Sequence, residues 1–123
     1  MSGSKYLVDT NIILYILSGN EVLANHLHLK NLYASVITEI ELLSYKNIKA
    51  KEEKAIGSFL SEFRIINIDE TIKNHAIWLR KDYGLKLPDC IVAATAISLQ
   101  LMFITADKQF RQIDRLLLEL YEP

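Results

Sequence analysis

Short apolar runs alternate along this chain with longer stretches whose apolar residues recur three and four positions apart. Tyr6–Asp9, Leu32–Ser35, Arg64–Ile68 and Leu101–Thr105 read as strands, the third because it is rich in β-branched residues. Leu116–Leu120 reads as either a fifth short strand or a terminal helix. Helices are predicted over Asn11–Leu17 and Glu21–His28, broken by Ser18-Gly19-Asn20, with Asn20 placed to cap the second. A third runs from Ile37 to about Asn47, with Val36, Ile40, Leu43 and Asn47 in line. The stretch Lys51–Phe63 puts Ile56, Phe59, Leu60 and Phe63 on one stripe of an amphipathic helix. Asp69 is placed to cap the next helix, where Ile72, His75, Ala76, Leu79 and Tyr83 share a face and Gly84 ends it. Pro88 suits the first turn of a helix reaching about Gln100, and its body Ile91–Ile97 is apolar on nearly all sides, which predicts burial.

Strands alternating with helices predict βαβ units and a mainly parallel sheet of four or five strands covered on both faces. With 123 residues, no internal repeat and no linker-like tract, residues 1–123 read as a single domain with a core large enough to need no disulfide. The lone Cys90 excludes an intrachain disulfide and fits a reducing cytoplasm. No apolar stretch approaches the roughly 20 residues of a membrane span. Met1-Ser2-Gly3-Ser4-Lys5 runs straight into the first strand, so no secretory signal is expected. The net charge of −1 does not advertise a polyanion partner, so any nucleic acid would have to meet a local basic patch.

Four acidic residues stand at junctions between these elements. Asp9 closes the first strand, Glu41 lies early in a helix, Asp89 follows Pro88, and Asp107 follows the run Leu101–Thr105. In a parallel sheet the carboxyl edge is where ligands bind, and at least three of these positions would collect there. Such a pocket needs a divalent cation to be tolerable, which points to metal-dependent phosphodiester chemistry. Plainer roles exist: Asp89 gains about 0.3–1 kcal/mol from a helix dipole, and Asp107 could cap a turn before Phe110. Glu39 and Glu41 flank Ile40 equally if Ile40 centres the buried face, and periodicity does not choose between them.

The segments Leu7–Asn11, Ser35–Leu43, Leu87–Ala96 and Ile104–Phe110, in this order and spacing, resemble the PIN domain, particularly the VapC toxins of toxin–antitoxin pairs. The resemblance implies a three-layer α/β/α sandwich, a Mg²⁺- or Mn²⁺-dependent ribonuclease leaving a 3′-hydroxyl and a 5′-phosphate, and a cognate antitoxin as partner. It assigns the catalytic acids to Asp9, Glu41 (rather than Glu39), Asp89 and Asp107, with Asp9, Asp89 and Asp107 as metal ligands. Thr10, Asn11 and Thr105 match the polar residues that support the cluster. One departure is Gln109, where many relatives carry an acid before the phenylalanine. Relatives are commonly dimers, and the apolar residues of Asn11–Leu17 and Lys51–Phe63 exceed what a small monomer easily covers, so a homodimer is expected.

A cation among these carboxylates would acidify a bound water, so no His or Lys base is required, and His26, His28 and His75 read as structural. Lys46, Lys49, Lys51 and Lys54 read as a solvated face. Lys108, Arg111 and Arg115 begin one residue after a proposed ligand and are candidate contacts to RNA phosphates. Two alternatives stand beside the ribonuclease. One is an inactive PIN-like binding module. The other is a phosphoaspartate domain with Asp9 as nucleophile, Thr105 on the phosphoryl oxygen and Lys108 on its charge, though Asn11 stands where a second acid belongs.

Overall fold

The first strand, β1 (Lys5–Val8), is apolar at three successive positions because both of its faces are covered. Tyr6 and Val8 point into one core and Leu7 into another. The computed structural model describes residues 4–123, so Met1, Ser2 and Gly3, part of the stretch weighed as a signal, lie outside the described residues. After β1 come α1 (Thr10–Leu17), α2 (Glu21–Leu27), β2 (Asn31–Ser35), α3 (Val36–Leu43), α4 (Ala50–Leu60) and β3 (Arg64–Ile66). Then follow α5 (Glu70–Tyr83), α6 (Leu87–Leu99), β4 (Met102–Thr105), a 3-10 helix (Lys108–Gln112) and β5 (Leu118–Leu120). The strands form one five-stranded sheet of order β3-β2-β1-β4-β5, with every pair parallel.

The strand order explains the two cores. From β1 the chain moves outward to β2 and β3, then crosses back to lay β4 on the other side of β1. Right-handed crossovers running in opposite directions place their helices on opposite faces. Ile12, Ile13, Leu23, Leu27, Leu42, Ile56 and Leu60 of α1–α4 accordingly pack with Tyr6, Val8 and Ile104. Ile72, Leu79 and the α6 residues Cys90, Val92, Ala93, Ala94 and Ala96 pack with Leu7, Leu101 and Phe103. The three-layer α/β/α sandwich is thus present, and α6 is buried as its all-round apolar character predicts. Among the described residues no helix is long and apolar enough to cross a membrane.

Several boundaries differ from the sequence expectation. The segment at 116–120 is a strand, not a helix: Leu118–Leu120 pairs with β4, and buried Leu116 leads into it. Helix α3 ends at Leu43 instead of near Asn47, which adopts a left-handed φ of 68°. Ile40 is 54% exposed; the inward face of α3 is Thr38 and Leu42, so polar Thr38 masked the true phase of the helix. Helix α4 stops at Leu60, yet Phe63 remains buried and meets Phe59 edge-on at 5.2 Å. Strand β3 stops at Ile66, before Asp69 caps α5 by accepting from the Ile72 amide. Gly84 closes α5 in the left-handed conformation at φ 65°.

Candidate active site

The strand order reverses between β1 and β4, and the carboxyl edge at such a switch point is where parallel sheets bind ligands. Asp9 stands there. Its backbone N–H donates to the Ile104 carbonyl at 3.0 Å, extending the β1–β4 pairing by one residue, and its side chain caps α1. Thr105 at the end of β4 is fully buried, and its hydroxyl donates to Asp9 Oδ2 at 2.7 Å. That hydroxyl also accepts from the Asp107 amide at 3.1 Å and from Asn11 Nδ2 at 3.4 Å, so its single proton is committed to Asp9. Asn11 is oriented by the Ala106 amide, which donates to its Oδ1 at 3.1 Å, and Nδ2 then reaches Asp9 Oδ2 at 3.3 Å. The Thr10 amide donates to Asp9 Oδ1 at 2.9 Å. Thr10, Asn11 and Thr105 therefore hold Asp9 in one orientation.

Helix α3 carries the second acid. The Thr10 hydroxyl donates to Glu41 Oε1 at 2.7 Å and lies 3.2 Å from the buried Thr38 hydroxyl. This contact separates Glu41 from Glu39, a choice that periodicity left open. Thr38 is the residue the sequence reading missed. It sits three positions before Glu41, on the same helical face, and its spacing of four from apolar Leu42 was the available signal.

Asp89 arrives in the first turn of α6 and Asp107 just beyond β4, where it caps the 3-10 helix by accepting from the Gln109 amide at 3.0 Å. Gln109 spans the two. Its Nε2 lies 2.6 Å from Asp107 Oδ2 and 3.2 Å from Asp89 Oδ2. The basic residues are placed less uniformly. Lys108 is exposed beside Asp107, whereas Arg111 is exposed and paired with Glu122 at 3.1 Å. Arg115 is not brought to the rim: it lies over the Trp78 ring at 4.9 Å and borders a cleft with Ile97 and Gln100 at the far end of α6. That end is about 16 Å along the helix from Asp89 at 1.5 Å per residue.

These carboxylates feel one another. Burial, reinforced by Asp89 and Glu41, raises Asp9 from 3.8 to about 6, although the Thr105 hydroxyl and the Thr10 amide pull the other way. Burial also raises Asp89, with Asp107 and Glu41 adding to it and Gln109 and Lys86 opposing. Among the described residues the ion pairs engage Glu70, Glu119 and Glu122, and none neutralises these four acids. His26 is spent elsewhere, on Glu119 beside the Tyr6 hydroxyl. An all-oxygen, net-negative donor set matches a hard divalent cation. Among the described residues, no three acidic, His or Cys side chains already stand as a group able to hold an ion. The match is therefore one of donor chemistry and charge.

A carboxyl raised by folding binds its proton more tightly in the folded state than in the unfolded state. Its stabilising contribution is therefore complete below about pH 4 and is lost as pH rises to about 6. At about 1.4 kcal/mol per unit, the Asp9 effect is on the order of 3 kcal/mol. In a chelator, urea unfolding at pH 5 should show a more stable protein than at pH 7.5, and Asp9→Asn should flatten that difference. Identical pH dependence in the two proteins would refute the strained Asp9.

The family model for the PIN domain matches residues 6–116. No curated protein matches significantly. Among solved structures, a chain of a toxin–antitoxin complex from Klebsiella pneumoniae is 35% identical, with a TM-score of 0.77 over 90% of this chain and 94% of that one. A chain of VapBC2 from Rickettsia felis, bound to a DNA fragment from its promoter, superposes with a TM-score of 0.86 at 25% identity, covering 96% and 99%. One of VapBC-1 from nontypeable Haemophilus influenzae gives 0.78 at 26% identity, covering 94% and 97%. With the family model spanning four of the five strands and the carboxylate rim, the chain belongs to the PIN domain family.

Proposed function

We propose that this chain is a VapC-type endoribonuclease, the toxin of a type II toxin–antitoxin pair, which hydrolyses RNA phosphodiester bonds with Mg²⁺ or Mn²⁺. The observation that carries this reading is the unneutralised group of coupled carboxylates at the switch point, with Asp9 pushed up to about 6. Similarity to chains from toxin–antitoxin complexes supports the biological role. Asp9, Asp89 and Asp107 would hold the cation, with Glu41 completing the negative rim. When bound, the cation supplies charge that polarises the scissile phosphate and acidifies a water. Thr105, Asn11 and the Thr10 amide keep both oxygens of Asp9 directed, and the Thr10 hydroxyl does the same for one oxygen of Glu41. Lys108, exposed one residue after Asp107, would meet an RNA phosphate.

The partner proposed is an antitoxin segment on apolar surface near the rim. A cleft of about 370 Å³ lined by Ile68, Ala76, Ile77, Leu87 and Ile91 opens beside the first turn of α6, two residues from Asp89. A homodimer would cover exposed Leu14 and Leu17, which border a second groove with Tyr45. Light scattering that finds a monomer would remove the dimer, and a bound antitoxin that leaves cleavage unchanged would remove the inhibitory role.

The deciding experiment incubates purified protein with RNA in Mg²⁺ or Mn²⁺ and again with excess chelator. Cleavage leaving 5′-phosphate ends, lost in chelator and lost in Asp9→Asn, is the expected result. Cleavage indifferent to both changes would overturn the proposal. Intact RNA under every condition would favour the inactive binding module, a reading that the Gln109 amide lodged between two of the acids keeps in view.

A further inference from the structure

We propose that Gln109 is a positioning residue that stands in for the cation between Asp89 and Asp107, and that it thereby weakens metal binding. The inference rests on the metal-dependent reading above and adds a control on that site. A carboxamide nitrogen carries two protons, and here each has its own acceptor: Asp107 Oδ2 at 2.6 Å and Asp89 Oδ2 at 3.2 Å. Bonds from a neutral donor to an ionised carboxylate are among the stronger ones, and they relieve repulsion between two acids that form no ion pair among the described residues. A cation held by these two acids would have to displace this amide. Whatever Gln109 contributes to the metal-free state is therefore subtracted from the affinity for the ion. The backbone of the turn does not depend on the side chain. The Gln109 amide donates to Asp107 Oδ1 and its carbonyl accepts from Gln112 Nε2 at 3.0 Å, so substitutions leave the turn in place.

Two variants separate this role from a merely structural one. Gln109→Met keeps the length and removes the donors, and Gln109→Glu replaces them with a third negative charge. In chelator the melting temperatures should fall in the order wild type, Gln109→Met, Gln109→Glu. Calorimetric titration with Mn²⁺, without RNA, should show Gln109→Met binding about tenfold more tightly than wild type, the scale of one lost charge-assisted hydrogen bond. Gln109→Glu should bind more tightly still. Equal or weaker Mn²⁺ binding by Gln109→Met would overturn the proposal, because the amide would then be indifferent to the ion or a helper of it. If no form binds Mn²⁺, the metal-dependent reading fails separately, and the metal-free melting order alone decides whether the amide holds the two acids together.

Discussion

Asp89→Asn should lower RNA cleavage by at least about 100-fold while the melting temperature in chelator stays level or rises slightly. Removing a group that merely orients a metal ligand typically costs roughly 10- to 100-fold, so removing an anionic ligand should cost no less. Stability moves the other way because the ionised carboxyl is unwelcome where it stands, raised by burial and by Asp107 and Glu41. The loss is the helix-dipole interaction in the first turn of α6, worth about 0.3–1 kcal/mol. Asparagine retains an oxygen able to accept from Gln109. A cleavage assay beside thermal melts, each with and without Mg²⁺, checks both halves. Retained cleavage with a lowered melting temperature would make Asp89 a helix-end charge and nothing more.

Phe110→Ala should produce the largest loss of stability among the changes considered, about 3–5 kcal/mol out of a total typically near 5–15. Phe110 is 1% exposed and meets the wholly buried Phe103 edge-on, ring centres 5.0 Å apart at 86°. The ring anchors the 3-10 helix that carries Asp107 and Gln109 at its start. Cleavage should therefore fall even at temperatures where the variant remains folded. Urea denaturation with a companion activity measurement tests this. A loss below about 1 kcal/mol would mean that the turn is held by its hydrogen bonds and not by the ring.

The layers, the parallel sheet and the rim were legible because they follow from period and punctuation. Apolar runs such as Tyr6–Val8 between turn signals marked strands, Pro88 and Gly84 marked helix ends, and acids at strand ends marked the edge that ligands use. The hidden part lay where a polar residue does the work of an apolar one. Thr38 faces inward, so reading Ile40 as the centre of α3 turned that helix through most of a half-turn, and Glu41 looked no better than Glu39. Gln109 stood out as a departure from the motif, but its span across Asp89 and Asp107 depends on α6 meeting the turn after β4, which no local pattern encodes. Arg115 shows the converse: nearness in sequence to Asp107 did not bring it to the rim.

The bond between the Thr105 hydroxyl and Asp9 joins residues 96 positions apart. At translation rates of about 5–20 residues per second, roughly 5–20 s separate the synthesis of its two ends. Glu41 and then Asp89 are added within that interval, whereas the Thr105 hydroxyl arrives only at its end and Asp107 two residues later. Parallel pairing of β4 against β1, itself slow to form, must come before Asp107 can join Asp9. The acidic rim of this topology is therefore incomplete until synthesis has passed β4, and a chain cut short before that point would never assemble it.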